Sequence, residues 1–354
     1  MSEKKIFLLS MTLFLLLLAA IALPTYVVLN HKTTFKGLLS SVPEREYNAI
    51  IAKTQDYNAA ILGSSMSECF KCSELDKVMK CSSLKLTING CNLAEAGFMA
   101  DYAAKYKKLD IIMLDFHLLM FAPKFNISCE HDLKNMPMEY YGENAGFIPL
   151  KKAFSITGIA EAAGFVKDYK KGRVRSISRD ELYDWSKKRS WGEKYFARDV
   201  LYNPTPDMVI DDMFLERTGN NINKHLIPMF KQYPDTKFIL FFPPNSMMQY
   251  RKIDPVSFIR LKRMAIDMIL PYKNVSLYDF QTAFHITENF NNYKDREHYS
   301  PQICSWLIHE LGKKEYLLTV ENKDVFLNKQ LERLKKYDFP KEFNRLKKLY
   351  GAGK

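Results

Sequence analysis

The longest apolar stretch in the chain runs from Ile6 to Leu29, directly after Lys4 and Lys5. A run of that length can span a bilayer, whereas the apolar core of a cleaved signal peptide is shorter, about 7–15 residues. Ala20-Ile21-Ala22 imitates a cleavage site, but Pro24 and further apolar residues follow it. The pattern predicts an uncleaved, single-pass anchor. Its short basic tail stays inside and everything beyond His31 lies outside the cytoplasm.

Beyond the anchor the pattern changes to short apolar runs broken by turn residues. Residues 1–32 read as tail and anchor, 33–56 as a stalk ending in a helix, 57–312 as the main domain and 313–354 as a charged tail. Tyr57 to Leu62 predicts a buried strand that ends abruptly at Gly63-Ser64-Ser65, with a helix from Met66 to Lys80. Further strands are expected at Leu84–Ile88, closed by Asn89-Gly90, at Leu109–Leu114, at Lys237–Phe242 and at Val275–Phe280. Helical spacing marks Leu93–Tyr106, Asp211–Gln232, Val256–Leu270 and Ser300–Leu311. Alternation of short strands and helices predicts a three-layer α/β/α domain with a mainly parallel sheet of about five strands. In the tail, Phe326, Leu327, Leu331 and Leu334 recur at near-helical spacing. They predict an amphipathic helix packed on the domain rather than on the membrane.

Residues 121–206 break this rhythm and read as a helical insertion. One basic cluster holds Lys167, Lys170, Lys171, Arg173, Arg175 and Arg179. A second, with Lys187, Lys188, Arg189, Lys194 and Arg198, is interleaved with Trp185, Trp191, Tyr195 and Phe196. Two readings fit: a surface for a sugar or polyanion, where rings stack on sugars and cations pair with anions, or a solvated amphipathic insert.

Charge and cysteines narrow the setting. The chain of 354 residues carries a formal net charge of +12, which favours an anionic neighbour such as lipid head groups or an acidic polymer. It has no zinc-finger spacing and no RNA-binding aromatic signature, so nucleic acid is not an expected partner. The 13% aromatic content argues for a packed protein. Six cysteines (Cys69, Cys72, Cys81, Cys91, Cys129 and Cys304) are an even number, as an oxidising compartment favours. Cys69-x-x-Cys72 lacks a second such pair and a thioredoxin-like context, so structural or free cysteines are expected over redox chemistry. His117, His131 and His285 form no metal-ligand pattern with any cysteine pair, and neither a metal nor another cofactor is expected.

The candidate chemistry gathers at two points. A serine on the sharp turn after the first strand stands at the carboxyl edge of the sheet, where open α/β folds place ligands. The helix expected to follow would offer free N–H groups and a positive dipole end to an oxyanion. Ser64 and Ser65 both stand there. Asp295 and His298, three residues apart just before the last helix of the domain, can pair. The carboxylate then fixes the imidazole tautomer and leaves the other nitrogen as general base for a serine. In a doubly wound sheet these two points converge on one edge.

With Leu62-Gly63-Ser64-Ser65, the Asn89-Gly90 turn, Pro243-Pro244, Tyr278-Asp279-Phe280 and Asn292 to Pro301, the chain resembles the SGNH/GDSL hydrolase superfamily over roughly Tyr57 to Leu311. Within it the chain is most similar to the membrane-anchored branch of D-alanyl-lipoteichoic acid biosynthesis proteins (DltD-like) and bacterial surface-polysaccharide acyltransferases. The resemblance implies a flavodoxin-like sheet, Ser65 as nucleophile, Asp295 and His298 as its partners, and the N–H groups of Ser65 and Gly90 as oxyanion donors. The third-block asparagine of that family is missing, since the third strand ends Leu114-Asp115-Phe116-His117. Asn92 and Asn245 are the candidate substitutes, and Asp115 is a candidate structural cap. The expected function is extracytoplasmic, serine-dependent acyl transfer or ester hydrolysis on a cell-envelope polysaccharide or teichoic-type polymer. The resemblance also implies a membrane-bound acyl-transfer partner. The rival from a different class is a non-catalytic envelope protein that holds a polymer on the same fold.

Overall fold

The computed structural model describes residues 3–35, 37–118, 133–203 and 207–351. The chain forms two compact units, Met1–Gln55 with Met136–Ser178, and Asp56–Asn135 with Arg179–Lys354. The stretch read from sequence as one insertion over 121–206 is therefore shared between them at Ser178. Part of that stretch, with Cys129 and His131, lies outside the described residues.

In the first unit a single helix covers Glu3–Thr34. Among the described residues it is the one helix long and apolar enough to cross a membrane. Its face at Ala22, Thr25, Leu29 and Lys32 is buried, at the i, i+3, i+7 spacing of a helical stripe. That stripe packs on the helices Ile148–Ala153 and Ile156–Lys170. Glu161 holds the three together, accepting from Lys32 and from Lys152, each at 2.8 Å. The Ser155 hydroxyl caps the second helix by accepting from the Gly158 N–H. Gly158 has no room for a side chain: a Cβ there would lie 2.0 Å from the Lys152 carbonyl oxygen.

The second unit is built on five parallel strands: β1 (Ala59–Leu62), β2 (Ser83–Lys85), β3 (Ile111–Asp115), β4 (Lys237–Phe242) and β5 (Val275–Asp279). They are ordered β2-β1-β3-β4-β5 and every pair is parallel. The strands read as continuous apolar runs because both faces are covered. Ala59, Ile61, Met113, Ile239, Phe241 and Tyr278 share a core with side chains of Cys72–Met79 and Pro301–Lys313. Toward the opposite face, Leu93–Tyr106 packs against β1 and Pro255–Ile269 against β5. The order reverses between β1 and β3, the switch point at which such sheets place their ligands.

Three elements differ from expectation. The helix after β1 begins at Cys72, not Met66, and Ser65 to Phe70 form tight turns. The Ser67 N–H donates to the Ser64 carbonyl and the Met66 N–H to the Ser64 hydroxyl, bonds that close tight turns around Ser65. The strand expected at Leu84–Ile88 is assigned over Ser83–Lys85, although Leu86 and Ile88 still donate to the carbonyls of Ile61 and Gly63. The stretch 211–232 is divided into Asp212–Asn221, a π-turn over Ile222–Leu226, and Ile227–Gln232, where Pro228 lacks the N–H a continuous ladder needs.

The tail forms two helices, Lys323–Lys336 and Phe339–Gly351, which bury Leu327, Leu334 and Leu346 against the second unit. Beneath the first of them lies a fully buried ion pair. Lys262 donates to Asp279 at 2.6 Å, at the end of β5, and to the Gln330 side chain at 2.5 Å. Cys69, Cys72, Cys81, Cys91 and Cys304 are free thiols. Burial pushes Cys72 up, and its Sγ rests on the Arg179 carbonyl. That is the opposite of the depressed pKa a reactive CxxC thiolate requires.

Candidate active site

The turn after β1 is shaped by one carboxylate. Gly63 has φ of 117°, and a Cβ there would stand 2.2 Å from Asp115 Oδ1. Only glycine allows both that backbone conformation and that approach. Asp115, at the end of the neighbouring β3, accepts the Ser64 N–H at 3.2 and 3.1 Å and the Ser64 hydroxyl at 2.8 Å. Burial pushes Asp115 up to about 6, against the pull of those Ser64 bonds. Ser64 is thus buried and committed to holding the turn. Ser65, next in the chain, turns the other way and is partly open.

The second half of the site is a tight loop. Tyr293 and Tyr299 form an antiparallel bridge, and the Lys294 N–H donates to the His298 carbonyl at 3.1 Å. Asp295 sits inside this loop and accepts the N–H groups of Glu297 at 3.0 Å and His298 at 2.8 Å. The loop is tied to the sheet edge on two sides. Ser246, after β4, donates its N–H and hydroxyl to the Arg296 carbonyl, and the Tyr299 hydroxyl donates to the Met66 carbonyl.

These two halves meet. Ser65 Oγ lies 2.9 Å from His298 Nε2. His298 Nδ1 lies 2.8 and 2.9 Å from the two oxygens of Asp295. Lys294 adds a cation at 2.8 Å from Asp295. Burial opposes ionisation of Asp295, but the hydrogen bond and charge of His298, with Lys294, outweigh it and hold the carboxyl well below the usual carboxylate range. The residues that sequence reasoning nominated at positions 65, 295 and 298 are therefore in hydrogen-bonding sequence. The alternative serine, Ser64, is bonded to Asp115 instead.

The placement of the donors is mixed. The segment after β2 runs beside β1 as far as the Gly63 carbonyl, so the Asn89-Gly90 turn stands at the same edge as Ser65. Gly90 has φ of 64° and is exposed. Among the described residues, the N–H groups of Ser65 and Gly90 have no acceptor. The helix dipole expected behind Ser65 is absent, because the helix begins seven residues later. Asn92 is occupied as the cap of Leu93–Tyr106, in reciprocal bonds with Glu95. Asn245, in contrast, is fully buried with neither side-chain oxygen nor nitrogen bonded among the described residues. It immediately precedes Ser246, whose bonds hold the histidine loop.

Two residues at the site were not nominated from sequence. Trp185 donates its indole N–H to the Ser65 carbonyl at 3.2 Å, packs edge-on against the His298 ring at 5.2 Å and lies under Lys294 at 5.4 Å. The sequence marked Trp185 only as an aromatic in a basic stretch, with nothing to connect it to a turn 120 residues earlier. His117, two residues past the end of β3, is buried, and neither ring nitrogen has a partner among the described residues. With Gly63, Asn92 and Asp115 it lines a small cavity. Burial lowers its pKa, which keeps the ring neutral, against the pull of Glu297. Its strand-end position was the available signal. No group of three or more His, Cys, Asp or Glu suited to a metal ion occurs among the described residues.

In comparisons with known proteins, no family model matches the chain and no curated sequence is significantly similar to it.

Proposed function

We propose that the protein is an extracytoplasmic serine acyl-transfer enzyme, held to the membrane by the helix Glu3–Thr34. Its second unit is read as an SGNH-like, flavodoxin-type domain. The observation that carries this reading is the continuous hydrogen-bonded series from Ser65 Oγ through His298 to Asp295. It stands at the carboxyl edge beside the switch point, with Ser65 partly open to an incoming carbonyl. A surface serine seldom has an imidazole whose far nitrogen is itself held by a carboxylate, and that arrangement is what general-base activation needs.

The chemistry follows from the atoms. His298 Nε2 takes the Ser65 proton as Oγ bonds to the acyl carbon. The carbonyl oxygen gains charge and is met by the N–H groups of Ser65 and Gly90, with the Asn245 amide as the candidate third donor. The tetrahedral carbon then expels the leaving oxygen, which receives the proton from His298. Acyl-Ser65 remains. Water or a polymer hydroxyl next gives its proton to His298 as it attacks the same carbon, and the tetrahedral carbon then expels Ser65 Oγ, which takes that proton back from His298 and is regenerated as the free hydroxyl. Asp295 holds the imidazole tautomer and offsets the imidazolium charge in both halves. The acceptor proposed is a hydroxyl of a cell-envelope polysaccharide or teichoic-type polymer, and a membrane-bound acyl-transfer protein is the proposed donor partner. Both accord with the basic balance of the chain and with the resemblance drawn above.

Acceptor partition tests this. The full chain in detergent is given p-nitrophenyl acetate with and without a purified hydroxyl-bearing envelope polymer. Acetyl-Ser65 should be found by peptide mass spectrometry, and the polymer should gain acetyl groups at the expense of free acetate. Free acetate unchanged by the polymer would reduce the assignment to an esterase. A Ser65 peptide that never gains the acetyl mass would sink it.

A further inference from the structure

The turn that begins at Trp185 carries a second tryptophan and a charge pattern that the acyl-transfer chemistry does not use. Between Trp185 and Gly192 stand three cations, Lys187, Lys188 and Arg189, and no carboxylate. The backbone closes on itself there: the Lys188 N–H donates to the Trp185 carbonyl and the Arg189 N–H to the Ser186 carbonyl. The indoles of Trp185 and Trp191 meet across the turn, 5.6 Å apart and tilted by 35°. The three cations therefore stand on the loop between the two rings, and all are exposed. Lys187 pairs with Glu181 at 3.3 Å, whereas Lys188 and Arg189 have no ion-pair partner among the described residues.

Both ends of this turn are fastened to the active site. At one end Trp185 donates to the Ser65 carbonyl and packs edge-on against the His298 ring. At the other, the Gly192 N–H donates at 3.1 Å to the carbonyl of Tyr293, two residues before Asp295. Gly192 has φ of 112°, a conformation that favours glycine. The turn thus bridges the nucleophile and the histidine loop, and a ligand held by it lies beside Ser65. Packing accounts for Trp185, which rests on the sheet core. It does not account for Trp191, which is partly open and whose one ring contact among the described residues is Trp185. Nor does packing call for two adjacent unpaired cations, which repel each other until an anion joins them.

We propose that this turn is the acceptor subsite, and that the acceptor is a sugar ring carrying an anionic substituent. The apolar face of the ring stacks on Trp191, and its anionic group pairs with Lys188 and Arg189. The inference rests on the acyl-transfer reading and narrows its acceptor from any envelope polymer to an anionic glycan. A hydroxyl of the bound sugar gives its proton to His298 Nε2 as its oxygen bonds to the acyl carbon. Ser65 Oγ then leaves and takes that proton back. A polyol phosphate, which has charge but no ring, makes only half of these contacts. The second basic cluster of the sequence, with its interleaved aromatics, gains a role in this way.

The test gives the full chain in detergent p-nitrophenyl acetate with a galacturonic acid tetramer, maltotetraose or poly(glycerol phosphate), at equal hydroxyl concentration. The ratio of acetyl transferred to acetate released is read for each. In about 20 mM salt the wild-type ratio should be roughly fivefold higher with the galacturonic acid tetramer than with either other acceptor, and the advantage over maltotetraose should vanish in about 0.5 M salt. Trp191→Ala should lower the ratio for the galacturonic acid tetramer roughly tenfold, and Trp191→Phe much less. Lys188→Gln/Arg189→Gln should bring that ratio down to the one for maltotetraose. A merely structural Trp191 would lower transfer and hydrolysis together and leave the ratio unchanged. That result, or a wild-type ratio equal for the three acceptors, overturns the subsite and leaves acyl-Ser65 standing. A wild type that never forms acetyl-Ser65 overturns the reading on which the subsite rests.

Discussion

His298→Ala should lower turnover of a simple activated ester by roughly 10⁵- to 10⁶-fold, the scale on which loss of a triad histidine acts. The reason is geometric. Ser65 Oγ has one basic neighbour among the described residues, Nε2 at 2.9 Å. Asp115, the carboxylate that reaches this turn, is already bonded to both the N–H and the hydroxyl of Ser64. Without the imidazole, the Ser65 proton has no route out. Asp295→Asn is expected to cost less, about 10⁴-fold. The amide keeps the shape of the loop but can donate to Nδ1, which favours the wrong tautomer at Nε2. The carboxylate is held ionised by His298 and Lys294, so the wild type is not limited by Asp295 anywhere near neutral pH. Steady-state hydrolysis of p-nitrophenyl acetate, with circular dichroism to confirm folding, measures both variants. A His298→Ala protein within tenfold of wild type would remove the imidazole from the mechanism.

Lys262→Ala should destabilise the second unit by about 3–5 kcal/mol, the usual cost of removing one member of a buried ion pair. Both side chains are fully buried. Burial lowers the Lys262 pKa against the pull of Asp279, so the pair exists because each charge answers the other. With alanine at 262, the Asp279 carboxylate keeps only the Gln281 N–H and Gln330 loses the cation that it faces. The desolvation of Asp279 is then uncompensated. Replacing both partners, Lys262→Met with Asp279→Leu, should cost much less than the single change, because no orphan charge remains. Urea unfolding followed by tryptophan fluorescence reads this unit selectively: Trp185, Trp191 and Trp306 all belong to it. A single variant within 1 kcal/mol of wild type would contradict the assignment of Lys262 as a structural cation.

What the sequence disclosed depended on how local the signal was. Lys237–Phe242 and Leu93–Tyr106 were legible to the residue. One is a β-rich apolar run closed by Pro243-Pro244, and the other has an Asn-x-x-Glu capping box at its start. Asp295 and His298 were legible as a pair because three residues of chain separate them. The residues alone left Ser64 and Ser65 open and only the family resemblance pointed to Ser65; in the fold the two differ through the carboxylate of Asp115, which reaches Ser64 from the next strand. The segment Met66 to Lys71 misled in the same way. Its spacing suits a helix, but the backbone stays in turns and the helix begins only at Cys72. Trp185 carried no local mark of its bond to Ser65. Likewise, no composition shift near Ser178 showed that the basic stretch is shared between two units. Such features come from contacts made across the fold, and only the folded chain displays them.

The central claim is that Ser65, and not its neighbour, is an activated nucleophile. Labelling of the full chain with a fluorophosphonate probe tests it most directly, with Ser65→Ala, Ser64→Ala and His298→Ala run beside wild type. The account predicts rapid labelling of wild type on the peptide that carries Ser65, abolished in Ser65→Ala and His298→Ala and retained, if slowed, in Ser64→Ala. A wild type that stays unlabelled while a known serine hydrolase reacts in the same tube would contradict it, as would labelling that survives Ser65→Ala.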